Sequence, residues 1–192
     1  MRIFHYDIAR GCYLRPREFK KAMTLAQKSG FDHFLPYLEN MIRLPSIEKA
    51  CPARAVTPEQ WREYENHGRA VGIELMAHFN VIGHTTDICR AYPELGDGEL
   101  DVETDAAKRW TLECLGEYLR FHTGKYMLIG GDEWQPPRAR LEFAFQPPHG
   151  GAGQREIRGR PGKALLGLQT QIHIFARQEQ ELPHQFVALV FQ

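Results

Sequence analysis

Apolar and polar residues along this chain switch repeatedly between a period near two and a period near 3.6. Ile3–Ala9 is a short apolar run with polar residues interspersed, which predicts a strand. Pro16 suits a first helical turn, and Phe19, Ala22, Met23 and Ala26 then recur at helical spacing up to a stop at Gly30. Phe31–Leu38 reads as a second strand. Thr57-Pro58-Glu59-Gln60 is a capping-box start, followed by Trp61, Tyr64, Gly68 and Val71 on one face and a stop at Gly72. Ile73–Asn80 is apolar enough for a strand covered on both faces. Val81–Leu100 reads as a long connection. A helix then starts at Asp101 or Thr104, with Ala107, Trp110, Cys114, Leu115 and Tyr118 as its stripe and Gly124 as its stop. Lys125–Gly131 is the fourth strand.

Strand–helix alternation of this kind implies a parallel sheet with right-handed crossovers. A doubly wound sheet and a (β/α)8 barrel both satisfy it. No GxGxxG or GxxxxGK[ST] follows the first strand, so nucleotide binding has no support. Polar residues gather at strand ends: Asp7 and Arg10, Glu39 and Asn40, Asn80 and His84, Asp132 and Glu133. The C-terminal ends of barrel strands converge on one catalytic rim, and that placement favours the barrel. The expected fold is α/β: an incomplete (β/α)8 TIM-type barrel of about four units in residues 1–134. A complete barrel takes about 250 residues, and this chain has 192.

Composition changes the picture at residue 135. Residues 1–134 carry 17 basic and 20 acidic groups, and residues 135–192 carry 7 and 4, so the net charge of zero sums −3 and +3. The last 58 residues contain no Asp, Asn, Ser, Cys, Met, Tyr or Trp and hold nine of the eleven Gln. This Pro/Gly/Gln-rich tail reads either as a linker with a small accessory segment or as sequence foreign to the preceding fold, as after a frameshift or truncation. Gln171–Phe175 and Gln185–Phe191 are strand-like within it, with no evident destination for their apolar faces. Zero net charge argues against a nucleic-acid binder. No window reaches the length of a membrane span and no signal peptide is seen, so a cytoplasmic protein is expected. Cys12, Cys51, Cys89 and Cys114 are far apart without a CxxC, as ordinary buried or half-buried thiols would be. His78 and His84 have no third ligand at a suitable spacing, so no metal site is expected. Trp61 and Trp110 sit on apolar helix faces and read as core.

Gly130-Gly131-Asp132-Glu133 is the segment that carries chemistry. Neighbouring side chains on a strand point to opposite faces, so adjacent carboxylates share a site only where the strand has ended. Two glycines permit such a break. An acid beside another carboxylate keeps its proton to higher pH and can protonate a leaving group, while its partner stays ionised. Alone, Gly-Gly-Asp-Glu is also an ordinary turn; at the end of a fourth barrel strand and before Trp134 it reads as a site.

Ile129-Gly130-Gly131-Asp132-Glu133-Trp134 resembles the Asp–Glu signature of glycoside hydrolase family 20, the β-N-acetylhexosaminidases. Asp7-Ile8-Ala9-Arg10 is similar to that family's first-strand motif, and Tyr37-Leu38-Glu39-Asn40 to the end of its second strand. Gly72-Ile73-Glu74-Leu75, Gly83-His84-Thr85 and Tyr92-Pro93-Glu94-Leu95 resemble its third-strand segment and the loop after it. The resemblance implies retaining, substrate-assisted hydrolysis of a terminal N-acetylhexosamine from a glycan or glycoconjugate, with no metal or organic cofactor. It implies Glu133 as the general acid and Asp132 as the acceptor of the acetamido N–H. Arg10 would hold the sugar hydroxyls, and His84 would steady the acidic pair from behind, with Asn80 beside it. Trp134 reads as a sugar-stacking platform or a packing residue.

The sequence departs from the family pattern in several places. Leu128 stands where a His often precedes the signature, Ile82 where Pro precedes Gly83, and His78 where an acid is usual. Asn80 occupies the place of an Asp that commonly pairs with the His at position 84. The tail offers no Trp, Tyr or Asp for the roles that later strands fill. The alternative is therefore a non-catalytic remnant or weak carbohydrate-binding module. Open sheet edges also predict self-association.

Overall fold

The structure is a computed structural model that describes residues 1–9, 12–81 and 83–130, together with the backbone of the strand Gln185–Val190. β1 (Ile3–Asp7) leads to α1 (Pro16–Lys28), β2 (His33–Tyr37) and a 3-10 helix at Pro45–Ala50. α2 (Pro58–Val71), β3 (Glu74–Leu75) and β4 (Ala77–Asn80) follow. Then come α3 (Thr86–Ala91), α4 (Asp105–Leu119), β5 (Tyr126–Gly130) and β6 (Gln185–Val190).

All strand pairs are parallel. β1 pairs with β2 and β2 with β3; β4 pairs with β5 and β5 with β6. The expected third strand is thus two short strands separated by Met76. β3 extends the ladder of β2, Met76 N–H donates to Phe34 O at 2.9 Å, and β4 then turns to pair with β5. The strands form two three-stranded parallel sheets, β1-β2-β3 and β4-β5-β6, and within each the sheet order follows chain order. A doubly wound sheet instead reverses at a switch point. The strand-like run Gln185–Phe191 of the tail is the strand β6 over Gln185–Val190, and it pairs in parallel with β5, with Gln185 opposite Tyr126 and Val190 opposite Gly130.

The helices form where their caps and stripes direct. Thr57 N–H donates to Gln60 Oε1 at 3.0 Å and Gln60 N–H to Thr57 Oγ1 at 3.3 Å, the reciprocal pair of a capping box. At the end of α1, Gly30 N–H donates to Gln27 O and Phe31 N–H to Ala26 O, and Gly30 supplies the left-handed residue (φ +87°) that this closure needs. Phe19, Met23, Trp61 and Tyr64 are fully buried. Phe19 stacks on Tyr64 at 4.2 Å and meets Phe34 edge-on at 5.3 Å, which fixes α1 and α2 against β2. Full burial of each such ring contributes on the order of 1.5–3 kcal/mol. Gly68 lets α2 approach the sheet, because a Cβ there would lie 2.6 Å from Ile73 O and 2.9 Å from Met23 Cε.

Three expectations need correction. α4 begins after Thr104, whose side chain accepts from Ala107 N–H, but it ends at Leu119 rather than at Gly124. Gly124 serves packing instead: a Cβ would stand 2.7 Å from Leu75 O and 2.6 Å from His122 Cε1. The connection 81–100 is not featureless, since it holds α3 and a 3-10 turn at Pro93–Leu95. Trp61 and Trp110 are buried as expected. Cys89 and Cys114 are buried and Cys51 is half-buried, whereas Cys12 is exposed, against the expectation.

Candidate active site

β1, β2, β4 and β5 end on one rim, and alternation brings Asp7, Tyr37, Asn80 and Gly130 to it. Asp7 pairs in register with Tyr37, and Asn80 with Gly130. Asp7 Oδ1 accepts from Ala9 N–H at 2.9 Å, a local turn that ends β1 just before Arg10.

Tyr37 is the hub. It is 5% exposed, and its ring lies 4.8 Å from the His78 ring and 5.9 Å from those of His5 and His84. Its hydroxyl accepts from Asn80 Nδ2 at 2.7 Å. Sequence reasoning gave Tyr37 no role, because an aromatic in an apolar strand reads as core. Asn40, grouped with the rim residues on sequence, does different work: its Nδ2 donates to Ala50 O at 2.7 Å and ties down the loop after β2.

The second feature is a contact between a histidine and a carboxylate. His84 Nδ1 lies 3.6 Å from Glu39 Oε1, and both side chains are mostly buried. Both residues hold left-handed backbone, φ +46° at Glu39 and +54° at His84, at the ends of β2 and of the segment after β4. Such conformations cost about 1–3 kcal/mol each outside glycine and gather at functional sites. Glu99 anchors the segment behind His84. It accepts from Thr85 N–H at 2.9 Å, Thr85 Oγ1 at 2.6 Å and Thr86 Oγ1 at 3.0 Å. Among the described residues the carboxylate facing His84 is Glu39, while Asn80, which stands in the Asp's place, bonds Tyr37. The signal for Glu39 was its position at a strand end; nothing in the sequence paired it with His84.

Gly130 closes the rim on the β5 side. A Cβ there would fall 2.2 Å from Asn80 Oδ1 and 2.9 Å from His78 Nε2. Polar side chains from β4 thus occupy the space that any larger residue at 130 would need. Arg10, Asp132, Glu133 and Trp134, like Ile82, lie outside the described residues. Among the sequence-predicted site residues, the structure brings His84 and Asn80 together around Tyr37. Among the described residues no group of three or more His, Cys, Asp or Glu is arranged to hold a metal ion. No helix among them is long and apolar enough to cross a membrane.

The opposite end of the sheet is built differently. Glu65, 3% exposed, accepts from Trp61 Nε1 at 3.0 Å, Thr123 N–H at 2.8 Å and Thr123 Oγ1 at 2.6 Å, and lies 2.8 Å from His122 Nδ1. Burial acts to raise its pKa, but the bonds from His122 and Thr123 outweigh it and hold the carboxyl below its ordinary value. A cavity of about 370 Å³ opens beside it, between α2 and the starts of β3 and β5. In parallel barrels this end serves stability rather than chemistry.

With strand order and rim in view, comparison with solved structures decides the fold. The chain superposes on the β-N-acetylhexosaminidase from Bacteroides fragilis with a TM-score of 0.71, 17% identity and 99% of this chain covered. The fold is that of the GH20 β-N-acetylhexosaminidases. The GH20 chitobiase from Flavobacterium johnsoniae gives a TM-score of 0.70 at 19% identity over 96% of this chain. The GH20 β-N-acetylhexosaminidase from Streptomyces coelicolor gives 0.60 at 17% over 67%. The match takes in 40%, 30% and 32% of those three chains, so this one spans well under half the length of each. No family model matches the sequence, and no curated protein matches it. The GH20 fold is thus carried here at low sequence identity, by topology and packing.

Proposed function

We infer that residues 1–134 form the first half of a GH20-type (β/α)8 barrel, and that its rim carries out retaining, substrate-assisted hydrolysis of a terminal N-acetylhexosamine. The observation that carries this reading is the Glu39–His84 pair, held in left-handed backbone at the same rim where β5 ends at Gly130, two residues before Asp132. The shared fold and the parallel strand order support it.

In this reading Glu133 donates its proton to the glycosidic oxygen as the bond from C1 breaks. The substrate's acetamido oxygen attacks C1 from the opposite face. Asp132 accepts a hydrogen bond from the acetamido N–H, which raises the nucleophilicity of the oxygen and stabilises the cationic oxazolinium ring. Glu133, now a carboxylate, takes a proton from water as it opens that ring, and two inversions leave the anomeric configuration retained. Arg10 holds the sugar hydroxyls through charge-assisted hydrogen bonds. Trp134 offers a stacking face. His84, paired with Glu39, steadies the acidic pair from behind.

The test is release of the chromophore from an aryl N-acetyl-β-glucosaminide. Glu133→Gln should lower kcat by roughly 10²–10⁴, the ordinary worth of a general acid, and Asp132→Asn should lower it strongly. Folded protein with no turnover above background would contradict catalysis by this chain. A second reading, a non-catalytic remnant that binds the sugar weakly, draws on the chain's short span of its structural relatives and on a tail without Trp, Tyr or Asp. Calorimetry showing N-acetylglucosamine binding without turnover would favour it.

A further inference from the structure

His84 does not hold its own position. Its backbone is left-handed, φ +54°, directly after Gly83 at φ +68°. A residue with a β-carbon leaves that conformation unless its surroundings forbid it. The residue that forbids it is Thr85. Thr85 is fully buried, and its N–H, at 2.9 Å, and its hydroxyl, at 2.6 Å, both donate to one oxygen of Glu99, Oε2. The peptide group between His84 and Thr85 is planar, so a pinned Thr85 N–H also fixes the rotation of His84 about its Cα–C bond. The other oxygen of Glu99, Oε1, accepts from Thr86 Oγ1 at 3.0 Å, which keeps the carboxylate from turning away. The loop that carries Glu99 is itself closed. Asp101 N–H donates to Leu95 O at 2.9 Å, and Leu100 N–H to Thr85 Oγ1 at 2.9 Å. Gly96 packs so tightly in this turn that a Cβ would lie 2.0 Å from Glu99 O, and Leu95 and Leu100 on either side of it are buried.

We propose that Glu99 is a positioning residue: through Thr85 it keeps His84 in left-handed backbone, and so keeps the imidazole against Glu39 and Tyr37. The imidazole meets the Tyr37 ring edge-on at 5.9 Å, and its Nδ1 lies 3.6 Å from Glu39 Oε1. Relaxation of His84 to an ordinary backbone conformation would carry the ring away from both. A carboxylate suits the task, because its two oxygens accept several hydrogen bonds at once and charge-assisted bonds are the stronger kind. Two carboxylates thus divide the work on one histidine. Glu39 touches the imidazole, and Glu99 holds the backbone that presents it. The effect on turnover rests on the reading of this rim as a glycosidase site; the hold on His84 does not.

Nuclear Overhauser contacts in the full chain test the hold without reference to activity. In the wild-type protein the His84 ring protons should show contacts to the Tyr37 ring. The His84 amide should show a strong contact to its own α-proton, the mark of left-handed backbone. Glu99→Ala should abolish both signals, while Glu99→Gln keeps an acceptor oxygen for Thr85 and should keep them. Glu99→Asp withdraws the carboxylate by one methylene and should weaken both, which serves as the second variant if the alanine chain does not fold. Absence of the two signals in the wild-type protein overturns the proposal. Signals of wild-type strength in folded Glu99→Ala or Glu99→Asp overturn it as well. In the aryl-glycoside assay, Glu99→Ala should lower kcat roughly 10- to 100-fold, the cost of a misplaced group near the chemistry. KM should stay within about twofold, since the grip on the sugar is untouched. Signals lost in Glu99→Ala beside an inert wild-type protein support the hold and contradict the enzymatic reading. Wild-type turnover with signals that survive Glu99→Ala does the reverse.

Discussion

Glu39 and His84 each hold a backbone conformation that β-carbon residues avoid, and the two side chains touch. That coincidence implies strain kept for a purpose. Glu39→Gly separates the strain from the chemistry: removing the Cβ penalty should raise unfolding stability by about 1 kcal/mol, while losing the carboxylate lowers kcat. Denaturant titration alongside the aryl-glycoside assay checks both, and a variant that is less stable would contradict the strain. Gly130 gives the converse case. Gly130→Ala drives a methyl group to within 2.2 Å of Asn80 Oδ1 and should cost about 1–3 kcal/mol, the usual penalty of overpacking. A midpoint unchanged from wild type would show that β4 yields freely. At this scale the sequence was legible for His84 and Asn80, whose types and positions stand out. Tyr37 was not, because an aromatic in an apolar strand is explained by burial alone. Glu39 was visible as a strand-end acid, but its partner lies 45 positions away and only the fold brings them together.

Among the elements, α2 is the joint between the helical layer and the sheet. Its capping box is readable from Thr57-Pro58-Glu59-Gln60 and is present with both bonds. Thr57→Ala should therefore cost about 1 kcal/mol, measured as a shift in denaturant midpoint; no shift would mean that Pro58 alone fixes the helix start. The same helix carries Glu65 into the core, which no apolar stripe announces. The folded pKa of Glu65 lies below its ordinary value of 4.5. The unfolded chain thus binds this proton more readily, and the carboxylate's contribution to stability is fully present above about pH 4.5 and fades as pH falls through the folded pKa. Glu65→Gln should flatten the acid limb of the stability curve in that window and lower stability at neutral pH, where Trp61 and Thr123 lose a charged acceptor. An unchanged acid limb would remove Glu65 from the account. Short elements were the least legible. α3 has six residues and two buried side chains, Ile88 and Cys89, too few to show a period. The third strand broke at Met76 because its two halves pair with different neighbours, a tertiary choice that no local pattern encodes.

Over the whole molecule, the parallel class followed from strand–helix alternation, and polar residues recurring at strand ends pointed to a shared rim. In the tail, the strand-like run Gln185–Phe191 is a strand over residues 185–190, and it lies beside β5, the destination that the sequence did not show. Pairing needs only a run of β-favouring residues, and Gln185–Val190 provides one. The central claim is that a GH20-type rim in this chain uses the substrate's own acetamido group as nucleophile. The most direct measurement compares the wild-type protein on two substrates that differ only there, an aryl N-acetyl-β-glucosaminide and the matching aryl β-glucoside. The account predicts turnover of the first, abolished in Glu133→Gln, and none of the second above background. Comparable turnover of both, or turnover of the first that survives Glu133→Gln, would contradict it.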